Sequence, residues 1–313
     1  MSSSESIRVV VLIGAGTMST DIAAIFVARG IDVHVVSRPG KNLDTVRDRI
    51  GRSVEQIASR QGPPGAIHTA SELASLPWQD IGLVIESVTE DLALKQRVFA
   101  DLEKHASSSI PLTSNSSSFP ISQIAQGLKT SHRTLGLHFF MPAHMVPLVE
   151  VVRSAATDTG IAQSVFDLML HLRRKPVMVA KDIPGFLANR MQHALMREAW
   201  SLIERGIASP EDVDIAVRYG FGFRYVAAGP ILQKEMSGLD VNFLASSAVF
   251  PDLCNDSAPI AKLASKVKAG DIGMKSGKGF YDWPADRIAA ERKRYQTALK
   301  RGLEILEAED DAG

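Results

Sequence analysis

The run Val9-Val10-Val11-Leu12-Ile13 passes without a break into Gly14-Ala15-Gly16-Thr17-Met18-Ser19, and no other feature narrows the possible folds so far. An unbroken β-branched run suits a strand buried on both faces, as in a parallel sheet. A glycine turn leading from such a strand into a helix is the context in which G-x-G-x-x-G carries meaning. Gly14 permits the tight turn. Gly16 lets backbone N–H groups approach a pyrophosphate at a helix N-terminus, where the helix dipole favours anions. Thr17 and Met18 complete the candidate cofactor loop, and Ser19 stands where the third glycine is expected at the helix–strand contact. The competing reading is a glycine turn in an unrelated α/β protein.

The rest of the first half alternates in the same way. Arg8–Ile13, Val33–Val36, Ile81–Glu86, Pro111–Ser114, Thr134–Phe139, Leu148–Val152 and Pro176–Val179 read as strands. Thr17–Arg29, Leu43–Ser59 and Leu92–His105 read as helices between them. Strands separated by helical crossovers predict a doubly wound α/β sheet of Rossmann type. After Lys181-Asp182-Ile183-Pro184-Gly185 the pattern turns helical. Pro184–Arg205 reads as one long helix with proline at its start and Gly206 at its stop. Ser209-Pro210-Glu211-Asp212 opens another as a capping residue followed by proline and acids, and the charged stretch from Asp286 reads as a solvated helix. The expected organisation is an α/β nucleotide-binding domain over residues 1–181 and an all-α domain over 182–313, with the substrate cleft at the joint.

Composition excludes several classes. The 35 basic and 35 acidic residues cancel, so no net field draws nucleic acid or an anionic membrane. No apolar run is long enough to span a bilayer, and Met1–Ser6 lacks the basic start and apolar run of a signal peptide. The lone Cys254 excludes an internal disulfide and offers no metal-ligand spacing. These features predict a soluble, cytoplasmic protein with a small-molecule substrate and with no nucleic acid, membrane or metal.

Two further patterns bear on chemistry. His138 in His138-Phe139-Phe140-Met141-Pro142 and Glu150 in Pro147-Leu148-Val149-Glu150-Val151-Val152 each sit on a short apolar strand. An imidazole titrates in the range needed to take a proton from an alcohol, and a buried carboxylate holds its tautomer and stabilises the imidazolium. Taken alone, the histidine also fits a satisfied core residue. At the end of the second strand stand Ser37 and Arg38, where an NAD enzyme usually places an acid for the adenosine ribose. A hydroxyl and a guanidinium suit a 2′-phosphate, so the cofactor expected is NAD or NADP, leaning to NADP. The other reading of Arg38 is a surface charge stacking on adenine.

With these residues in place, the chain resembles the 3-hydroxyacyl-CoA dehydrogenase family over nearly its whole length. The resemblance extends to Val84-Ile85-Glu86-Ser87-Val88-Thr89-Glu90 with Lys95, to Ser114-Asn115-Ser116-Ser117-Ser118, to Pro184-Gly185-Phe186-Leu187-Ala188-Asn189-Arg190, to Gly229-Pro230 and to Gly273–Tyr281. It implies that His138 is the general base in oxidation and the general acid in reduction, and that Glu150 orients it. It implies that Ser117 and Asn189 hydrogen-bond the reacting oxygen. Glu90 and Lys95 would line the nicotinamide end, with Asn115 among the cofactor contacts.

Two departures from that family point away from acyl-CoA. Relatives that use CoA carry a longer helical insertion between the second strand and Leu83, where this chain has one helical stretch and then Gln61-Gly62-Pro63-Pro64-Gly65. Met141 stands where those relatives have asparagine. Glu198–Gly206 and Phe223–Pro230 are similar to segments of the L-gulonate 3-dehydrogenase (lambda-crystallin), carnitine dehydrogenase and pyridine-carboxylate dehydrogenase branch, whose substrates are small hydroxy acids without CoA. Met141 and Arg224 are the candidate substrate contacts, Arg224 as a carboxylate anchor or else as an interface arginine. The leading expectation is an NAD(P)-dependent dehydrogenase of a small 3-hydroxy acid. The alternatives are a true 3-hydroxyacyl-CoA dehydrogenase and a catalytically silent nucleotide-binding protein. Apolar stretches at Val226–Met236 and Val241–Phe250 predict a homodimer through the helical domain.

Overall fold

The computed structural model describes residues 7–38, 43–57 and 62–312. The chain divides into two compact units, Met1–Arg190 and Met191–Gly313. In the first, eight strands form one sheet in the order β3-β2-β1-β4-β5-β6-β7-β8. In chain order they are β1 (Val9–Ile13), β2 (Asp32–Val36), β3 (Ile67–Ala70), β4 (Ile81–Glu86), β5 (Leu112–Ser114), β6 (Thr134–Phe139), β7 (Leu148–Val152) and β8 (Lys175–Val179). The helices of this unit are α1 (Thr17–Val27), α2 (Leu43–Gln56), α3 (Leu92–His105), α4 (Ile121–Ile124), α5 (Thr159–His171) and the start of α6 (Ala188–Glu204).

All strand pairs are parallel except β6 with β7. The cause is the length of the connections. A parallel neighbour needs a crossover of a dozen residues or so, which α1, α3 and α5 provide, whereas the short loop 140–147 can only turn the chain back. Alternate residues of each strand pack on opposite faces. Val10, Leu12, Val33, Val35 and Leu137 join the core under α1, α2 and α5, while Val11, Ile13, Val84 and Leu112 join the one under α3 and α4.

Three differences from the sequence reading have local causes. Strand β3 is unexpected: it is a half-exposed edge strand of mixed polarity, formed by pairing with β2. Helix α2 ends at Gln56, and the expected continuation to Ser59 falls partly outside the described residues. Helix α6 begins at Ala188, not Pro184, because Gly185 (φ 76°) and Phe186 (φ 48°) take the left-handed conformation. The stretch just after residue 181 packs with the first unit: Asp182 accepts the Ser122 N–H at 2.7 Å, and Phe186 is buried.

The second unit contains the rest of α6, then α7 (Pro210–Ala216), α8 (Gly222–Arg224), α9 (Pro230–Ser237), α10 (Leu239–Val249), α11 (Ala261–Ala269) and α12 (Ala285–Ala312). Ser209 caps α7 by accepting the Asp212 N–H at 3.0 Å, with Pro210 in the first turn. Among the described residues no helix is long and apolar enough to cross a membrane.

Candidate active site

The nucleotide end is built at the carboxyl edge of β1, β2 and β4. Gly14 has φ 116°, and a Cβ there would meet the Ser87 carbonyl oxygen at 2.6 Å, so the turn admits only glycine. Its N–H donates to the Val36 carbonyl at 2.8 Å, which locks the turn against β2. A Cβ on Gly16 would meet nothing. That open space belongs to a cavity of about 650 Å³ lined by Gly14, Gly16, Ser37, Arg38, Ser71 and Ser87–Thr89. Helix α1 starts there with no side-chain cap and no acid in its first turn, so its N-terminal N–H groups and dipole are left for an anion. The Ser19 hydroxyl is buried beside Gly14 and has no hydrogen-bond partner among the described residues. These features fit a dinucleotide: the α1 N-terminus and Gly16 for the pyrophosphate, Ser37, Arg38 and Ser71 for the adenosine ribose. Thr17 is exposed and accepts from Arg49 Nη2 at 3.1 Å, while Met18 packs into the core.

The histidine lies on β6, in register with Glu150 across the antiparallel step to β7. His138 Nδ1 is 2.7 Å from Glu150 Oε2, and Ser117 Oγ is 3.1 Å from His138 Nε2. A carboxylate oxygen only accepts, so Nδ1 carries the hydrogen and Nε2 presents its lone pair to the serine hydroxyl. The other carboxylate oxygen, Oε1, accepts the N–H groups of Leu187 and Ala188 at 3.0 and 2.7 Å. The left-handed turn at Gly185-Phe186 aims those two groups, and the ring of Phe186 packs edge-on against His138 with centroids 5.7 Å apart. Phe140, the first residue after β6, packs edge-on against the imidazole with ring centroids 4.6 Å apart. His138 and Glu150 are both buried. Asn189 follows Ala188 in the first turn of α6, half-buried, and its side chain makes no hydrogen bond with the protein among the described residues.

Under the serine loop lies a network the sequence reading missed. Glu86, fully buried at the end of β4, accepts from Lys95 Nζ at 2.8 Å, Ser114 Oγ at 2.6 Å and Val88 N–H at 2.6 Å. Lys95 also pairs with Glu90 Oε2 at 3.2 Å. Glu90 in turn accepts from Ser116 Oγ at 2.6 Å and Ser118 N–H at 3.0 Å. Burial opposes ionisation of Glu90, but the Ser116 hydroxyl, the Lys95 ammonium and the Ser118 N–H outweigh it and hold its carboxyl below the usual range. Lys95 is only 1% exposed, and its ammonium is taken up between the two glutamates. Asn115 is likewise committed: Oδ1 accepts the Phe139 N–H at 2.8 Å, and Nδ2 reaches Ser87 Oγ at 3.4 Å. The signal for Glu86 was present as a lone acid closing the apolar run Ile81–Ile85.

Met141 is exposed, two residues past the end of β6. Arg224 ends α8 in the second unit. No group of three His, Cys, Asp or Glu among the described residues is placed to hold a metal ion.

A dinucleotide cavity at the carboxyl edge of a doubly wound sheet, with a carboxylate-oriented histidine and a serine on neighbouring strands, defines the dehydrogenase class. The family model for the 3-hydroxyacyl-CoA dehydrogenase NAD-binding domain matches residues 9–183, and that for its C-terminal domain matches 185–283. The chain belongs to the 3-hydroxyacyl-CoA dehydrogenase family and is a nicotinamide-dependent oxidoreductase acting on hydroxyl groups. Among its relatives, 5-formyl-3-hydroxy-2-methylpyridine 4-carboxylate 5-dehydrogenase of Mesorhizobium japonicum is 30% identical, over 95% of this chain and 99% of the relative. 3-Hydroxybutyryl-CoA dehydrogenase of Mycobacterium tuberculosis is 34% identical, over 90% of this chain and 100% of the relative. A solved structure of the pyridine-carboxylate enzyme, described as an NAD+-dependent dismutase, superposes with a TM-score of 0.88 at 29% identity, covering 95% of this chain and 99% of the other.

Proposed function

We propose that this protein transfers hydride between a nicotinamide cofactor and the hydroxyl-bearing carbon of a small 3-hydroxy acid that carries no CoA, with His138 as general acid/base. The observation that carries the reading is the fixed tautomer of His138. Glu150 holds Nδ1–H, so Nε2 is the atom that takes the hydroxyl proton in oxidation and returns it in reduction. Ser117, whose one hydroxyl hydrogen turns from Nε2 to the substrate oxygen, and the Asn189 amide are the donors for the oxygen as it becomes a carbonyl, and Glu86 and Glu90 hold the backbone of the serine loop through Ser114 and Ser116. Bound nicotinamide supplies the hydride acceptor.

Two observations favour a free acid. Between β2 and β4 the described residues form α2, the edge strand β3 and one 3-10 turn at Leu73–Ser75, with no second α-helix among them. The pyridine-carboxylate enzyme also superposes better, with a TM-score of 0.88, than the solved 3-hydroxybutyryl-CoA dehydrogenases of Escherichia coli and Ralstonia eutropha, at 0.69 and 0.71. The competing substrate, a 3-hydroxyacyl-CoA, is favoured by the full-length match to 3-hydroxybutyryl-CoA dehydrogenase. A steady-state panel of 3-hydroxybutyryl-CoA, 3-hydroxybutyrate, L-gulonate and carnitine decides between them. Turnover confined to free acids is the expected result, and efficient turnover of the thioester overturns it.

We also propose NADP as the preferred cofactor, because Ser37, Arg38 and Ser71 line the ribose end of the cavity and Arg hydrogen-bonds phosphate through paired N–H groups. Finally, we propose a homodimer through the helical unit. Phe223, Ile231, Met236, Phe243 and Leu244 are each at least 70% exposed, an apolar surface larger than a single copy leaves to water. Sedimentation equilibrium should show a dimer at micromolar concentration, and a monomer there would overturn this.

A further inference from the structure

A second buried carboxylate–imidazole contact lies outside the machinery described above. Asp21 sits one turn beyond Thr17 on α1, the helix whose N-terminus faces the dinucleotide cavity. His144 sits in the loop between β6 and β7, six residues past His138. His144 Nδ1 is 3.3 Å from Asp21 Oδ1, within ion-pair distance but without the alignment of a hydrogen bond. Helix α2 closes the cluster from a third side: Ser53 Oγ donates to Asp21 Oδ1 at 3.1 Å, and Gln56 Oε1 is 3.2 Å from His144 Nε2. Asp21, Ser53 and His144 are 6%, 7% and 8% exposed.

Among the described residues no lysine or arginine pairs with Asp21. A carboxylate in so dry a place is costly unless a cation or donors compensate it. The apolar alternative at these positions would pack the three elements together at least as well, so packing alone does not account for the polar set. What the polar set adds is a tie between elements: His144, in the loop that leaves His138, meets Asp21 of α1 on one side and Gln56 of α2 on the other. The same α1 carries Thr17, which Arg49 of α2 reaches at 3.1 Å. One helix therefore opens on the dinucleotide cavity at its N-terminus, is bonded to α2 at its first turn and meets the loop that leaves His138 one turn later.

We propose that Asp21 and His144 form a positioning latch that couples occupancy of the dinucleotide site at the start of α1 to the placement of His138. The latch acts through the loop and touches neither cofactor nor substrate. It rests on the dinucleotide site defined by Gly14 and Gly16, not on the identity of the substrate.

ADP-ribose tests it, because it has the adenosine and pyrophosphate but no nicotinamide. Its affinity is read by calorimetry, and the His138 ring resonance, assigned by its loss in His138→Gln, is read by NMR. In the wild type the His138 signal should move on saturation. In His144→Ala and in the near-isosteric Asp21→Asn, ADP-ribose should still bind, but the His138 response should shrink and kcat should fall roughly fivefold or more with little change in substrate KM. A wild-type His138 signal indifferent to ADP-ribose overturns the latch. So do variants that respond as the wild type does, since a direct effect of the second ribose would survive both substitutions.

Discussion

His138 and Glu150 face each other as register partners across the antiparallel step of the sheet, with Nδ1 and Oε2 2.7 Å apart. They lie twelve positions apart in the sequence, and a turn that only the short loop 140–147 permits brings them together. Because the opposite oxygen of Glu150 accepts two N–H groups at the start of α6, this one carboxylate joins His138 to the segment that carries Asn189.

Replacing the imidazole should separate chemistry from binding. His138→Gln is expected to lower kcat by about 10²–10⁴-fold, the usual contribution of a positioned acid/base, while cofactor affinity stays at the wild-type level. Single-turnover kinetics and a dinucleotide fluorescence titration would check this. A folded variant that has lost cofactor affinity would falsify the division of labour.

Glu150→Gln keeps an acceptor for Leu187 and Ala188 but no longer enforces the tautomer of His138. A loss of about 10²–10⁴-fold in kcat is expected, with a lower melting temperature from the weakened buried contacts. If the variant melts lower but turns over normally, Glu150 is only a structural tie between β7 and α6.

Cofactor choice should follow the end of β2. Arg38→Ala is expected to lower kcat/KM with NADP about tenfold while leaving the NAD value nearly unchanged, since only the phosphate uses the guanidinium. Ser37→Asp should favour NAD by offering the ribose hydroxyls an acceptor and repelling the phosphate. Equal losses with both cofactors would show that Arg38 only stacks on adenine.

The depressed titration of Glu90 has a consequence for acid stability. Its carboxyl is held below 4.5, so the stabilisation it brings is present above the unfolded value and is lost as pH falls through the lower folded value. Wild-type melting temperature should therefore drop on acidification below pH 4.5, and Glu90→Gln should show a shallower acid limb with a lower plateau at neutral pH. An acid limb as steep in the variant as in the wild type would assign the effect to other carboxylates, of which Glu103, held down by Thr130 against the cost of burial, is the first to test.

Much of this was readable before the fold was known. Strands β4, β6 and β7 and helix α3 occupy the residues their apolar runs predict, because burial on both faces of a sheet demands such runs. The edge strand β3 was not readable, since Ile67-His68-Thr69-Ala70 has no pattern of its own and exists by pairing with β2. The start of α6 was misplaced because Pro184 suits a first helical turn, whereas Gly185 and Phe186 enter the left-handed region when Phe186 is buried against His138. Lys95 read as a residue facing the cofactor, and the partner that draws it inward, Glu86, lies nine positions away on another element.

The sequence by itself determined the class of fold, the glycine turn and the identities of the polar groups, because those depend on local conformational preference and on where apolar residues recur. The tertiary structure alone decided which atoms meet: the tautomer of His138, the burial of Lys95 between two glutamates, and the convergence of Asp21, Ser53, Gln56 and His144. Such contacts join residues from different elements, and their geometry depends on strand register and helix packing that no local stretch of sequence contains.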